Sequence, residues 1–192
     1  MQTTLLAPDL RLTVCGLDEL DAHATAGVTH VLSILDPGFP EPVVFGRYDP
    51  QHHRLTMRFH DIIGPWPGWQ APERSDVEAL VAFGAELDEA GERLRHLLVH
   101  CHAGVSRSTA ALATLLARHT DPGEEAAIFA RLRAIRPQAW PNSRMIGFAD
   151  ELLGREGRLV AALRDHYRAQ AAVLPHFVEE LRLSGRGSEI PR

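Results

Sequence analysis

Lysine is absent from this 192-residue chain; all 20 basic residues are arginine. No ammonium group can therefore serve an anion-binding loop, and any strong cation there must be a forked guanidinium. Cysteine is almost as scarce, with Cys15 and Cys101 alone. Two thiols exclude a disulfide framework, and such sparing use suits a reducing cytoplasm, the expected compartment. Long hydrophobic runs are missing, and none could span a bilayer. Residues Met1–Leu12 lack a basic stretch followed by an apolar core, so no signal peptide is expected. Positive charge is not in excess either. A net charge of −5 argues against binding nucleic acid through its phosphates. No internal repeat occurs. What remains is a chain with 45% hydrophobic residues, enough for one α/β domain with a real core and too much for a disordered polymer.

The pattern along the chain alternates strands with helices. Leu10–Cys15 reads as a first strand, and Leu17–Ala26 as a short helix closed by Gly27. Val28–Leu35 is β-branched and apolar, as a central strand should be. Asp36–His53 reads as a long Pro- and Gly-containing connection with a short edge strand at Val43–Phe45. Arg54–Phe59 alternates as a further strand, and Ile62–Pro72 is a loop. Glu73–Ala90 carries Val77, Leu80, Val81, Gly84 and Leu87 on one helical face. Leu94–Val99 is strand-like and Thr109–His119 helix-like. Asp121-Pro122 is read as an N-cap with Pro at the first helical position, opening a helix to about Ile135. Further helices are expected from Asn142 or Ser143 to Gly154, from Gly157 to Val173, and from Pro175. Ser184–Arg192 reads as a frayed end. The sum is a mostly parallel sheet of four to five strands flanked by helices.

Between the last expected strand and its helix lies His100-Cys101-His102-Ala103-Gly104-Val105-Ser106-Arg107-Ser108. A loop that turns from a strand into a helix N-terminus aims several backbone N–H groups into one hollow. That hollow and the helix dipole favour a phosphate-sized anion. The same field favours thiolate over thiol at Cys101. Arg107 can hold two phosphate oxygens at once, which a point charge cannot. Gly104 removes a Cβ where backbone and ligand approach closely. Ser108 can donate a hydrogen bond to the sulfur.

This run resembles the signature loop of the protein tyrosine phosphatase superfamily, in the H-C-x-A-G-x-S-R-S form of its dual-specificity branch. The resemblance covers roughly Leu10–Leu153. It implies a phosphatase-type α/β fold, with Cys101 as nucleophile and Arg107 as phosphate ligand. It also implies an upstream aspartate as general acid.

Asp61 is the candidate acid, since it follows the strand Arg54–Phe59 and opens a loop, the setting that the family uses. Glu73, Asp49 and Asp36 are its rivals. The Pro- and Trp-rich stretch after Asp61 is longer than the family's pattern. Trp66 and Trp69 in that stretch fit two roles, walling the pocket or packing the loop onto the sheet. Arg136-Pro137 and Pro141-Asn142 resemble a family stretch beside the signature loop. There Asn142 either bonds the loop or caps the following helix. His100 is read as loop support. His102, Ala103, Gly104, Val105, Ser106 and Arg107 are read as the phosphate cradle. A strand sends neighbouring side chains to opposite faces, so His100, Cys101 and His102 do not converge on a metal ion. No metal and no organic cofactor are expected. Cys15 reads as core filler, with a regulatory disulfide to Cys101 as the alternative.

The sequence thus points to a cysteine-dependent phosphatase domain at residues 1–154, with a helical extension and tail at 155–192 packed on it. The expected reaction is phosphomonoester hydrolysis through a cysteinyl-phosphate, on a phosphorylated substrate that is expected to be a phosphoprotein. Two alternatives stay open. One is a phosphate-binding module without useful turnover, and the other is a phosphatase of a non-protein phosphomonoester.

Overall fold

The computed structural model describes residues 9–191. The Met1–Leu12 stretch read for a leader, and Arg192 at the tail, therefore lie largely or wholly outside the described residues. Four parallel strands form one sheet: β1 (Arg11–Cys15), β2 (His30–Leu35), β3 (His53–Arg58) and β4 (His96–His100). Their order across the sheet is β1-β4-β2-β3. The two strands with unbroken burial, β2 and β4, are the central pair, while β1 and β3 carry exposed residues as edges should.

The expected α/β architecture is borne out. Six α-helices surround or extend the sheet: α1 (Arg74–Ala90), α2 (Arg107–Ala117), α3 (Glu125–Ile135), α4 (Ser143–Leu152), α5 (Arg158–Val173) and α6 (Pro175–Leu183). Strand alternation divides the core in two. Leu32, Ile34, Leu97 and Val99 face the α-helices, whereas Val31, Leu98 and Cys15 face a smaller cluster with Leu20, Phe45 and Tyr48. The smaller cluster is roofed by two 3-10 helices, Leu17–His23 and Val43–Arg47. Helix α2 is buried along its whole length. Its run of alanines and leucines lets it pass beneath the other helices and brings its N-terminus to the end of β4.

Four local expectations are corrected. Val43–Phe45 is not an edge strand but lies in a 3-10 helix. Pro42 sits at its N-cap, and Phe45 turns inward while Val43 is exposed. Asp121-Pro122 does not open α3. The Pro122-Gly123 pair forms a turn in which Glu124 N–H bonds Asp121 O and Gly123 has φ +100°, so the helix starts only at Glu125. On α1 the buried face uses Phe83, with Val81 half-buried. The tail Ser184–Arg192 is not frayed over its described part. A 3-10 turn spans Gly187–Glu189, and Arg186 and Glu189 are only 4% and 5% exposed. Helices α5 and α6 contribute Leu159, Leu163, Tyr167 and Leu181 to the main core cluster.

Candidate active site

All four strands run the same way, so their C-terminal ends share one edge of the sheet. The connection after β4 emerges there between the ends of β1 and β2, the crevice where open α/β sheets bind ligands. Asp36 directly follows β2, and Asp61 comes three residues after β3. Cys101, His102, Ala103, Val105, Ser106 and Arg107 line a cavity of about 260 Å³ together with Asp61. The opposite wall comes from Phe177, Glu180 and Leu181 of α6, and from Ser184 and Arg186 beyond it.

The loop is braced from outside. Arg136 Nε donates to Gly104 O at 3.0 Å, and its Nη2 donates to Ala103 O at 3.0 Å. Its Nη1 reaches Glu19 at 2.8 Å. Turning these carbonyls outward leaves the inner side of the loop to N–H groups. Trp140 N–H bonds Val105 O at 2.8 Å and closes the far end. Gly104 has φ +69°, and a Cβ there would lie 2.4 Å from the Cys15 carbonyl carbon. Its space is thus taken by the chain's own backbone, not by a ligand as the sequence suggested. Gly16 is required for the same contact, since a Cβ on it would sit 2.9 Å from His102 O.

Cys101 Sγ is 3.2 Å from Ser108 Oγ. Arg107 is 3% exposed, and its Nη1 donates to Asp36 Oδ1 and to Phe59 O, both at 2.6 Å. Its Nε is buried without any protein acceptor. An arginine anchored by one nitrogen with another left open is suited to take an anion from the cavity. Asp36, a rival for the acid, is therefore engaged with the guanidinium instead. Its backbone N–H also donates to His102 Nε2 at 3.2 Å. Burial, then the Arg107 charge, pulls the His102 ring below its usual range, so this histidine adds no positive charge to the pocket. His100 bonds Ser33 Oγ at 2.7 Å, and burial pulls its pKa down to about 4. It is a neutral strut under the loop.

Asp61 sits against the loop in a dense polar cluster. Its Oδ1 accepts from Ser106 Oγ at 2.7 Å and from Asn142 Nδ2 at 2.9 Å. Asn142 also caps α4 by accepting from the Arg144 and Met145 N–H groups, so both readings of it hold at once. Arg186 Nη1 lies 3.2 Å from Asp61 Oδ2. Burial alone would raise the Asp61 carboxyl, but Arg186, then Arg107, and the Ser106 and Asn142 hydrogen bonds hold it below the usual carboxylate range.

Other sequence candidates lie elsewhere. Glu73 is the exposed N-cap of α1. Asp49 borders a groove with His30 and His52 at the opposite end of the sheet. Trp66 and Trp69 are half-exposed and do not line the cavity; the Trp66 ring packs against Gly185. Cys15 lies in the smaller core cluster and Cys101 in the larger, across the sheet from each other. Burial, and then the Glu19 charge, pushes the Cys15 thiol up to about 12. Among the described residues, no cluster of three or more metal-ligating side chains occurs. No described helix is long and apolar enough to cross a membrane. The sequence placed Arg136 beside the loop through the family resemblance but did not show its contacts to Ala103 and Gly104, and it did not mark Asp36 as an anchor or Arg186. Only the position of Asp36 at a strand end could have marked it.

Residues 46–147 match the family model described as protein-tyrosine phosphatase. The chain belongs to the protein-tyrosine phosphatase family. It is 30% identical over 151 residues to dual specificity protein phosphatase 12 of Rattus norvegicus, covering 76% of this chain and 40% of that protein. The chain thus spans well under half of that relative. Human DUSP28 superposes with a TM-score of 0.55 at 22% identity, covering 78% of this chain and 96% of its own. The Yvh1 phosphatase domain from Chaetomium thermophilum gives 0.56 at 19%, covering 83% and 99%. At these identities, the structural matches speak for the fold. Within the phosphatase fold, the four-stranded parallel sheet presents the loop after β4, while the wall built by α6 and Arg186 lies beyond the residues matched by the family.

Proposed function

We propose that the protein hydrolyses phosphomonoesters through a cysteinyl-phosphate. The Cys101 thiolate attacks phosphorus, and the bond to the leaving oxygen breaks as Asp61 gives that oxygen a proton. Water then attacks the phosphorus, Asp61 takes its proton, and the P–S bond breaks to release inorganic phosphate. Ser108 donates to the departing sulfur, and Arg107 with the loop N–H groups holds the transferring group throughout. One observation carries this reading. Cys101, Asp61 and Arg107 share a single cavity in which the buried Arg107 Nε has no protein acceptor.

The substrate we infer is a phosphoprotein, in the manner of tyrosine or dual-specificity phosphatases. A neutral His102 adds no charge to the cradle, and Glu180 on the wall opposes additional phosphates. Both features weigh against a highly phosphorylated small molecule. Phe177, Leu181 and Val105 offer an apolar wall to the group that carries the phosphate. Residues 155–191 act as part of the same domain, and the two free thiols suit a reducing cytoplasm.

A second reading has its own support. Asp61 is held as a carboxylate, whereas an acid must be protonated, so the chain could bind phosphate without turning it over. Turnover of phenyl phosphate, beside Cys101→Ser, separates the two. The phosphatase reading expects turnover that vanishes in the variant, and a phosphoryl-cysteine trapped by acid quench. Vanadate binding without turnover would instead support the binding module. A panel of phosphopeptides and soluble phosphomonoesters then ranks the substrates.

A further inference from the structure

We propose that Arg186 is a positioning residue for the Asp61 carboxyl, carried into the pocket by the C-terminal segment. The inference rests on reading Asp61 as the proton donor. Its geometry is two-sided. Arg186 Nη1 lies 3.2 and 3.3 Å from the two oxygens of Asp61 and 2.6 Å from Ser106 Oγ. On the other side, Glu189 Oε2 accepts from Arg186 Nε at 2.8 Å and meets Nη2 at 2.6 Å. Glu189 is itself fixed, since Oε1 accepts from Ser143 N–H at 2.8 Å and Oε2 from Trp140 Nε1 at 3.2 Å. Trp140 in turn stacks on Tyr167 with ring centroids 4.7 Å apart. The guanidinium cannot swing away without leaving Glu189 unpaired in a buried site, which is strongly disfavoured.

The hydrogen bonds at Asp61 are uneven. Oδ1 accepts from Ser106, Asn142 and Arg186, whereas Oδ2 meets Arg186 alone. A proton given to a leaving group must therefore sit on Oδ2, the oxygen whose place Arg186 fixes. The same cation favours the ionised carboxyl and lowers the pH at which Asp61 can donate. The other charged and titratable groups around Asp61 are Cys101, His102 and Arg107 from the loop and α2, Glu180 from α6, and Tyr167 from α5. Of the two cations, Arg186 is the one in direct contact.

The test uses the full chain and two readouts. The Asp61 carboxyl is titrated by carbon NMR, assigned through Asp61→Asn, and the pH profile is recorded with phenyl phosphate. In Arg186→Met the Asp61 midpoint should rise by ~1–3 pH units, and the basic limb of the profile should move up with it. Arg186→Lys should keep the low midpoint but lose ~10–100-fold on phenyl phosphate, because one point charge cannot reproduce the fork. If Arg186→Met does not fold, Arg186→Met with Glu189→Gln removes both partners of the buried pair, and the same rise is expected. An Asp61 midpoint that stays put when the guanidinium is removed overturns the proposal. Should the native chain turn over no phosphomonoester, the phosphatase reading fails, while the NMR titration still decides the role of Arg186.

Discussion

Asp36 holds Arg107 from behind, with its Oδ1 2.6 Å from the Arg107 Nη1 that also bonds Phe59 O. The contact sets which edge of the guanidinium faces the cavity, since Nε is left without an acceptor. Two effects compete when the carboxylate is removed. A negative charge near the phosphate site is lost, which helps an anion. The fork also loses one of two anchors, which costs orientation. A hydrogen bond to a charged group contributes ~1.5–3 kcal/mol, and we expect orientation to win. Asp36→Ala, which leaves no acceptor at that position, should therefore lower kcat/KM on phenyl phosphate by ~10–100-fold and weaken vanadate inhibition in parallel. Tighter vanadate binding would show that repulsion dominates.

Gly104→Ala tests how the loop is seated. The residue sits at φ +69°, and its Cβ would meet the Cys15 carbonyl carbon at 2.4 Å and Gly16 N at 2.6 Å. The left-handed conformation alone costs ~1–2 kcal/mol for an alanine, and the clash is with backbone that cannot rotate aside. Thermal melting should show a lower midpoint, and vanadate protection of Cys101 from alkylation should be lost. Unchanged protection would mean that the loop can shift without losing its cradle.

Much of this was legible in the sequence, for identifiable reasons. Alternation marked β1 and β3, short β-branched and apolar runs marked β2 and β4, and nine consecutive residues carried the loop. Asp61 was legible because a strand end pointed to it. Asp36 occupies the same kind of position after β2, but a carboxylate that orients an arginine looks like one that donates a proton until distances are known. The contacts of Arg136, whose stretch the resemblance had placed beside the loop, and the whole role of Arg186 were hidden for another reason. Their partners lie 32 and 125 residues away, at Gly104 and Asp61. Ser184-Gly185-Arg186-Gly187-Ser188 has the composition of a loose tail. Its order comes from an ion pair with Glu189 and from Trp140, which no local pattern reveals.

Three buried histidines should make the fold acid-sensitive. Burial pulls the pKa of His30, His100 and His166 down to about 4. The unfolded rings titrate near ~6.5. Between those values the unfolded chain binds protons that the native chain refuses. Stability should be full above the unfolded value and fall as pH drops through the window, on the order of 1 kcal/mol per pH unit for each ring. His166 donates from Nε2 to Ala139 O and accepts from Arg133 at Nδ1, both at 2.9 Å. A glutamine can make both bonds without titrating. Urea midpoints at pH 7.5, 6 and 5 should therefore decline less steeply in His166→Gln. An identical decline would assign the acid sensitivity to other groups.

Asp61→Asn addresses the chemistry itself. General acid catalysis typically contributes ~10²–10⁴-fold, so phenyl phosphate turnover should fall by about that factor. A substrate whose leaving group needs no proton should be nearly unaffected, because little donation is required. The pH dependence follows from the carboxyl's surroundings. Burial raises its pKa, but Arg186, Arg107, Ser106 and Asn142 together bring it below the ordinary carboxylate range. The useful form of an acid is the protonated one. In the native chain, turnover of phenyl phosphate should therefore decline as pH rises through that low value, which places the basic limb on the acid side of neutrality. In Asp61→Asn this limb should flatten, since no proton is left to lose. Glu73→Gln is the control, because Glu73 caps α1 and does not line the cavity. If Glu73→Gln slows phenyl phosphate while Asp61→Asn does not, the acid has been misassigned. If neither changes the rate on phenyl phosphate, proton donation from the protein has no part in the reaction.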